Sequence, residues 1–127
     1  MRIALDTNAY VAVARGTGPA VELVRTATEI LLPLVVLGEL RAGFAAGTRS
    51  ERNEASLAAF LRSPRVQVLC PDEQTTFHYA RLFAYLRKKG TPVPTSDLWI
   101  AALVVQHELS LVTLDAHFDK LPQVLRG

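Results

Sequence analysis

Cysteine is almost missing from this 127-residue chain, where Cys70 stands alone. A single thiol excludes an intramolecular disulfide and any cysteine-built zinc or iron–sulfur centre. It also makes a reducing, cytoplasmic setting the expected one. Long apolar runs are missing too: Ile30 to Gly38 and Leu98 to His107 fall far short of the ~20 residues that a spanning helix needs. An export signal is not expected. Arg2 precedes an apolar stretch ending in Ala12-Val13-Ala14, but Asp6 and Asn8 interrupt it. There is no large excess of one charge, because 14 Lys and Arg face 12 Asp and Glu for a net charge of +2. Repeats, linkers and low-complexity tracts are absent as well.

What the chain does have is core. Half of its residues are hydrophobic and 20% are charged, a composition that folds rather than staying disordered. The length suits one domain over residues 1–127. Such a domain buries roughly two-thirds of the surface that its unfolded chain exposes.

Short apolar runs alternate with helical patterns. Arg2 to Leu5 reads as a buried strand, followed by a short helix to Ala14 and a break at Arg15-Gly16-Thr17-Gly18. Pro19 opens a second helix, as proline suits the first turn. Ile30 to Val36 is a strand candidate that Pro33 weakens, and helical spacing resumes from Leu37 until Gly47. A helix from Ser50 stops at Ser63-Pro64, and Val66 to Leu69 alternates as a short strand. Asp72 to Lys89 has acids at its start, bases at its end and Gly90 as its stop, with Phe77, Ala80, Leu82, Phe83 and Leu86 as the expected buried side. Thr95 or Ser96 is placed to cap a helix over Asp97 to Glu108. Leu111 to Leu114 is a strand, Asp115 to Lys120 a helical turn, and Val124 to Arg126 a candidate edge strand. Strands alternating with helices imply parallel pairing through right-handed crossovers, hence an α/β sandwich.

Four acids take meaningful places in that pattern. Asp6 follows the first strand and Asp115 the strand ending at Leu114, while Glu39 and Asp97 lie near the starts of helices. In a parallel sheet these positions share one edge, where such folds bind ligands. Carboxylates gathered there repel one another unless they are protonated or share cations. All-oxygen donors suit a hard ion, Mg²⁺ or Mn²⁺. With four of the twelve acids committed to cations, the remaining surface would be moderately basic and suited to a polyanion. Each acid alone has a plainer reading: Asp97 as a dipole partner, Asp6 with Asn8 as a turn, Glu39 as a solvated helix residue, Asp115 as a cap. Their joint placement is what carries weight.

The segments IALDTN at the N-terminus, VVLGEL around Glu39, SDLWIAA from Ser96 and LVTLDAHF ending at Phe118 resemble the four signatures of PIN-domain ribonucleases. The resemblance is greatest to the VapC-type toxins of prokaryotic toxin–antitoxin pairs, and it runs through nearly the whole chain. It implies a Mg²⁺- or Mn²⁺-dependent endoribonuclease built as a three-layer α/β/α sandwich, with a mostly parallel sheet of about five strands. By motif position it makes Asp6, Glu39, Asp97 and Asp115 the metal-binding, catalytic acids, accompanied by Asn8 and Thr113. Ser96 stands where many relatives carry Asn. Asp119 is a rival or auxiliary for the last acid. The resemblance also implies a homodimer and an inhibitory antitoxin partner. RNA would cross the acidic edge beside Arg15 and Arg41, and single-stranded or looped RNA fits because side chains cannot read the deep A-form groove.

Other residues carry less. His78, His107 and His117 lack a zinc-ligand spacing, and His117 is expected to make a structural hydrogen bond. Trp99 reads as a core or interface residue and Cys70 as a small buried one. A PIN-like binding module with little or no cleavage is the alternative reading. Phosphoryl transfer through Asp6 as nucleophile is a third, weakened by Asn8 where a second Asp is expected and by the lack of a lysine near Asp115 other than Lys120.

Overall fold

The computed structural model describes residues 1–127. The first strand, β1 (Arg2–Leu5), leads into α1 (Thr7–Arg15), α2 (Ala20–Thr26) and β2 (Glu29–Pro33). Next come α3 (Leu34–Ala46), α4 (Ser50–Leu61) and β3 (Val66–Leu69). The chain ends with α5 (Glu73–Lys89), α6 (Thr95–Gln106), β4 (Ser110–Val112) and a 3₁₀ turn over Ala116–Lys120. The four strands pair in parallel in the order β3-β2-β1-β4.

About five strands were expected, and the sheet has four. The candidate at Val124 to Arg126 forms only an isolated parallel bridge, Leu111 with Arg126. It is held by Leu111 N–H donating to the Leu125 carbonyl at 2.7 Å and Gly127 N–H donating to the Leu111 carbonyl at 3.0 Å.

The strand order explains where a site can form. From β1 the chain builds outward through β2 to β3, then returns to add β4 on the opposite side of β1. The reversal leaves a crevice beyond the C-terminal ends of β1 and β4, the usual ligand position in open parallel sheets. Leu5 pairs with Val112, so the residues that follow each strand, Asp6 and Thr113, emerge side by side.

The buried core runs through the central strands β1 and β2 and into β4, with Ile3, Ala4, Leu5, Leu32 and Leu111 essentially inaccessible. Helix α6 is apolar on nearly every side, with Leu98, Ile100, Ala101, Ala102, Leu103 and Val104 all buried. An all-round apolar helix belongs in the interior.

Several boundaries differ from expectation. Helix α3 starts at Leu34 rather than Leu37, because Pro33 both ends β2 and occupies the helix N-cap. Helix α6 starts at Thr95 after Pro94, with no side-chain cap from Thr95 or Ser96. On α5 the buried residues are Thr75, Leu82 and Leu86, whereas Phe77 is 59% and Phe83 47% exposed. Cys70 is exposed rather than buried.

Candidate active site

Asp6 sits at the bend where β1 becomes α1. Its Oδ1 accepts the Ala9 N–H at 2.9 Å, capping the helix. Its Oδ2 accepts the Thr113 hydroxyl from the strand extension next door. The cap reading and the site reading of Asp6 are therefore both satisfied by one residue, one oxygen each. Thr113 Oγ1 in turn accepts the Asp115 N–H at 2.9 Å, tying the β4 exit to the β1 exit.

Beyond Thr113 the chain bends into the 3₁₀ turn. Asp115 Oδ1 accepts the His117 N–H at 2.8 Å. The His117 ring reaches back so that Nδ1 lies 2.7 Å from Asp97 Oδ2 and 3.0 Å from Asp115 Oδ1. Ionised carboxylates offer only lone pairs, so the hydrogen between them belongs to Nδ1. His117 thus joins two acids from separate elements, and one ligand atom each from Asp97, Asp115 and His117 lies within 4.8 Å of the others. The hydrogen-bonding role expected of His117 is the one it has, and it places a nitrogen inside the acidic cluster.

Glu39 comes from α3, where its Oε1 accepts the Thr7 hydroxyl at 2.7 Å. It is exposed but close enough to Asp97 to repel it. Asp6, Asp97 and Asp115 repel one another in the same way. Four carboxylates from four chain segments therefore share one field.

Burial pushes the Asp6 carboxyl above its ordinary range, against hydrogen bonds from Thr113 and Ala9 that pull it down, and Asp115 and Asp97 push it further up. Burial likewise raises Asp97, opposed by its His117 contact and reinforced by Asp115 and Glu39. No Lys or Arg forms an ion pair with any of the four. Beyond the His117 ring the chain offers these acids no cationic partner, and carboxylates gathered this way are either protonated or share a cation from outside. Mostly oxygen donors, with three oxygens (Asp97 Oδ1, Asp115 Oδ2 and Glu39 Oε2) free of hydrogen bonds to the chain, fit a hard divalent ion.

The remaining candidates are placed differently. The Asn8 side chain is exposed and bonds none of the acids; its neighbour Thr7 does. Ser96 is half-buried in the first turn of α6 without a side-chain hydrogen bond. Asp119 is exposed and paired with Arg126 at 2.6 Å, outside the hydrogen-bond chain that links Asp6 to Asp97. Arg41 pairs with Glu54 at 3.0 Å, so its charge is partly spent. Arg15 lines a cleft beside Glu39, together with Arg49 and Arg52. Sequence reading passed over Thr7, Arg49 and Arg52. Thr7 sits inside the first motif, one residue from Asp6, and was the available signal.

A parallel sheet with a crevice lined by carboxylates from the β1 exit, α3, α6 and the β4 exit defines an α/β protein with an acidic site of the kind that can hold a cation. Residues 3–124 match the PIN domain family, and the chain belongs to that family. It is 33% identical to the ribonuclease VapC4 of Mycobacterium tuberculosis over 72% of this chain and 70% of that protein. It is 31% identical to the ribonuclease VapC5 of the same organism over 92% of this chain and 85% of that protein. Among solved structures it resembles VapBC2 from Rickettsia felis, bound to a DNA fragment from its promoter. That match has a TM-score of 0.86 at 27% identity and covers 100% of this chain and 98% of the other.

Proposed function

We infer that the chain is a metal-dependent endoribonuclease that hydrolyses RNA phosphodiester bonds, the toxin of a VapBC-type pair. The observation that carries this reading is the unneutralised carboxylate cluster at the sheet's switch point, in a chain of the PIN family whose relatives are ribonucleases. Asp6, Glu39, Asp97 and Asp115 would hold Mg²⁺ or Mn²⁺, which supplies Lewis-acid charge and lowers the pKa of water at neutral pH.

The chain's own residues do the rest. Thr113 and the Ala9 N–H fix both Asp6 oxygens, so that carboxylate cannot rotate away. His117 keeps Asp97 and Asp115 facing each other, and Thr7 holds Glu39 toward the cluster. Such supporting hydrogen bonds tune metal sites as much as the ligands do. Asp115 Oδ1 is occupied by His117, which leaves Oδ2 free to face the cation. With Asp6 as central ligand, no other group restores the site when its charge is removed.

The partner is proposed as a VapB-like antitoxin that suppresses cleavage, supported by the solved neighbour VapBC-5 from Mycobacterium tuberculosis, a member of the VapBC family of toxin–antitoxin systems. A homodimer is proposed as well, and the exposed Phe77 and Phe83 on α5 are apolar surface of the kind that a second chain covers.

The test is cleavage of a mixed RNA pool with Mg²⁺ and with EDTA, mapping the cut sites. Wild-type protein should cut only with the cation. Folded Asp6→Asn should lose roughly 10²–10³-fold in rate, the cost of removing one critical electrostatic group. A folded Asp6→Asn protein cutting at the wild-type rate refutes the assignment.

A further inference from the structure

Next to the acids the surface changes sign. A cleft of about 480 Å³ lies between α1, α3 and α4, and Thr7 and Glu39 are part of its wall, so it opens onto the carboxylate cluster. Arg15, Arg49 and Arg52 line it too. All three are exposed and none has a carboxylate within 4.0 Å, whereas Arg2, Arg25, Arg41 and Arg126 each do.

Two of these arginines stand where they cost stability. Arg49 occupies the N-cap of α4 without a capping hydrogen bond, and Arg52 follows in the first turn. Cations at that end oppose the helix dipole, Glu51 in the same turn offsets only one of the two, and a good cap residue is missing. A solvated helix face would place such charges at the other end.

We propose that this cleft is a subsite for the single-stranded RNA backbone flanking the bond to be cut, with Arg15, Arg49 and Arg52 taking its phosphate oxygens. The inference rests on the nuclease reading and extends it to where the strand runs. Without cations nearby, a polyanion approaching four acids would be turned away. Three unpaired guanidiniums on one side of the cluster supply attraction and also a direction. Val11, Leu40 and Phe44 in the same cleft give sugars and bases an apolar surface. Arg41, paired with Glu54, is not part of this path.

The test is fluorescence anisotropy of a labelled single-stranded RNA 12-mer in EDTA, titrated at several KCl concentrations. Each phosphate contact on a single strand contributes about 0.7 to the slope of log K against log salt. The triple variant Arg15→Gln/Arg49→Gln/Arg52→Gln should therefore lower that slope by about 2, and Arg49→Gln alone by about 0.7. A control with the same net charge, Arg25→Gln/Arg62→Gln/Arg81→Gln, alters arginines outside the cleft and should leave the slope near wild type. Thermal melts of each variant check folding; removing Arg49 and Arg52 should not lower them. Equal slopes in the two triples overturn the proposal. So does an arginine dependence seen only with a poly-glutamate peptide, which would assign the cleft to an acidic protein partner. If the wild type cuts RNA in Mg²⁺ but the slope is unchanged, the cleft falls alone. If it neither binds nor cuts, the nuclease reading falls first.

Discussion

At the scale of single residues, Asp97 shows the tension that a functional site builds into a fold. It sits in the first turn of the otherwise mostly apolar helix α6, with its carboxyl held above the ordinary range chiefly by burial. A carboxyl whose pKa is higher folded than unfolded binds its proton more tightly in the fold. Its contribution is full below the unfolded value of about 3.9 and is lost as pH rises through the folded value. Metal-free Asp97→Asn, which cannot ionise, should therefore be more stable than wild type at pH 7, with the difference shrinking toward pH 4. Paired thermal melts across that range check it. An Asn variant less stable at every pH would mean that the carboxylate is held by favourable contacts instead. Such a gain in stability with loss of function is the trade expected at an active site.

The placement of Asp6, Asp97 and Asp115 at one edge was legible from sequence because each follows a strand or opens a helix, whereas Glu39 arrives from the second turn of α3, which starts earlier than its pattern suggests. His117 as the link between Asp97 and Asp115 was not legible. A histidine beside an acid has many possible partners, and only the bend of the 3₁₀ turn selects Asp97.

At the scale of elements, α5 separates what pattern reveals from what it hides. Its limits were readable: Asp72 is the N-cap, Gly90 ends the helix in the left-handed region, and the last turn carries Arg87, Lys88 and Lys89. Its buried face was not, since apolar residues occur on more than one side. The face that packs carries Thr75, Leu82 and Leu86, with Tyr79 stacked on Trp99 of α6 at 4.4 Å. Phe77 and Phe83 point to solvent. The polar member of the buried stripe explains the choice.

The Thr75 hydroxyl accepts the Asp72 N–H at 2.8 Å and donates to Gln106 Oε1 at 2.6 Å. Asp72 Oδ1 accepts the Thr75 N–H and the Gln106 amide, each at 3.0 Å. This capping box fastens the start of α5 to the end of α6, and the Gln106 contact holds the Asp72 carboxyl below its usual range. Thr75→Val keeps the shape and removes both hydroxyl bonds. It should cost about 1–3 kcal/mol in denaturant unfolding, with cleavage of RNA unchanged because Thr75 lies outside the acid cluster. A neutral effect on stability would show that water replaces the lost partners without penalty.

For the molecule as a whole, the order β3-β2-β1-β4 does the positioning. It sets Asp6 and Thr113 side by side, lets α6 deliver Asp97 from the interior, and leaves Glu39 on α3 at the cleft's wall. Alternation of strands and helices announced this α/β plan. The missing fifth strand could not be read, because whether Val124 to Arg126 makes a ladder or a bridge depends on a few hydrogen bonds at the end of the chain. No helix is long and apolar enough to cross a membrane.

The central claim is that these distant carboxylates form one cation site. Its most direct measure is a Mn²⁺ titration of the purified, metal-stripped chain followed by electron paramagnetic resonance. Wild-type protein should take up the ion and show a higher melting temperature as Mn²⁺ rises, while folded Asp6→Asn and Asp97→Asn should each bind at least ~10-fold more weakly. Equal Mn²⁺ affinity in all three proteins would contradict the account.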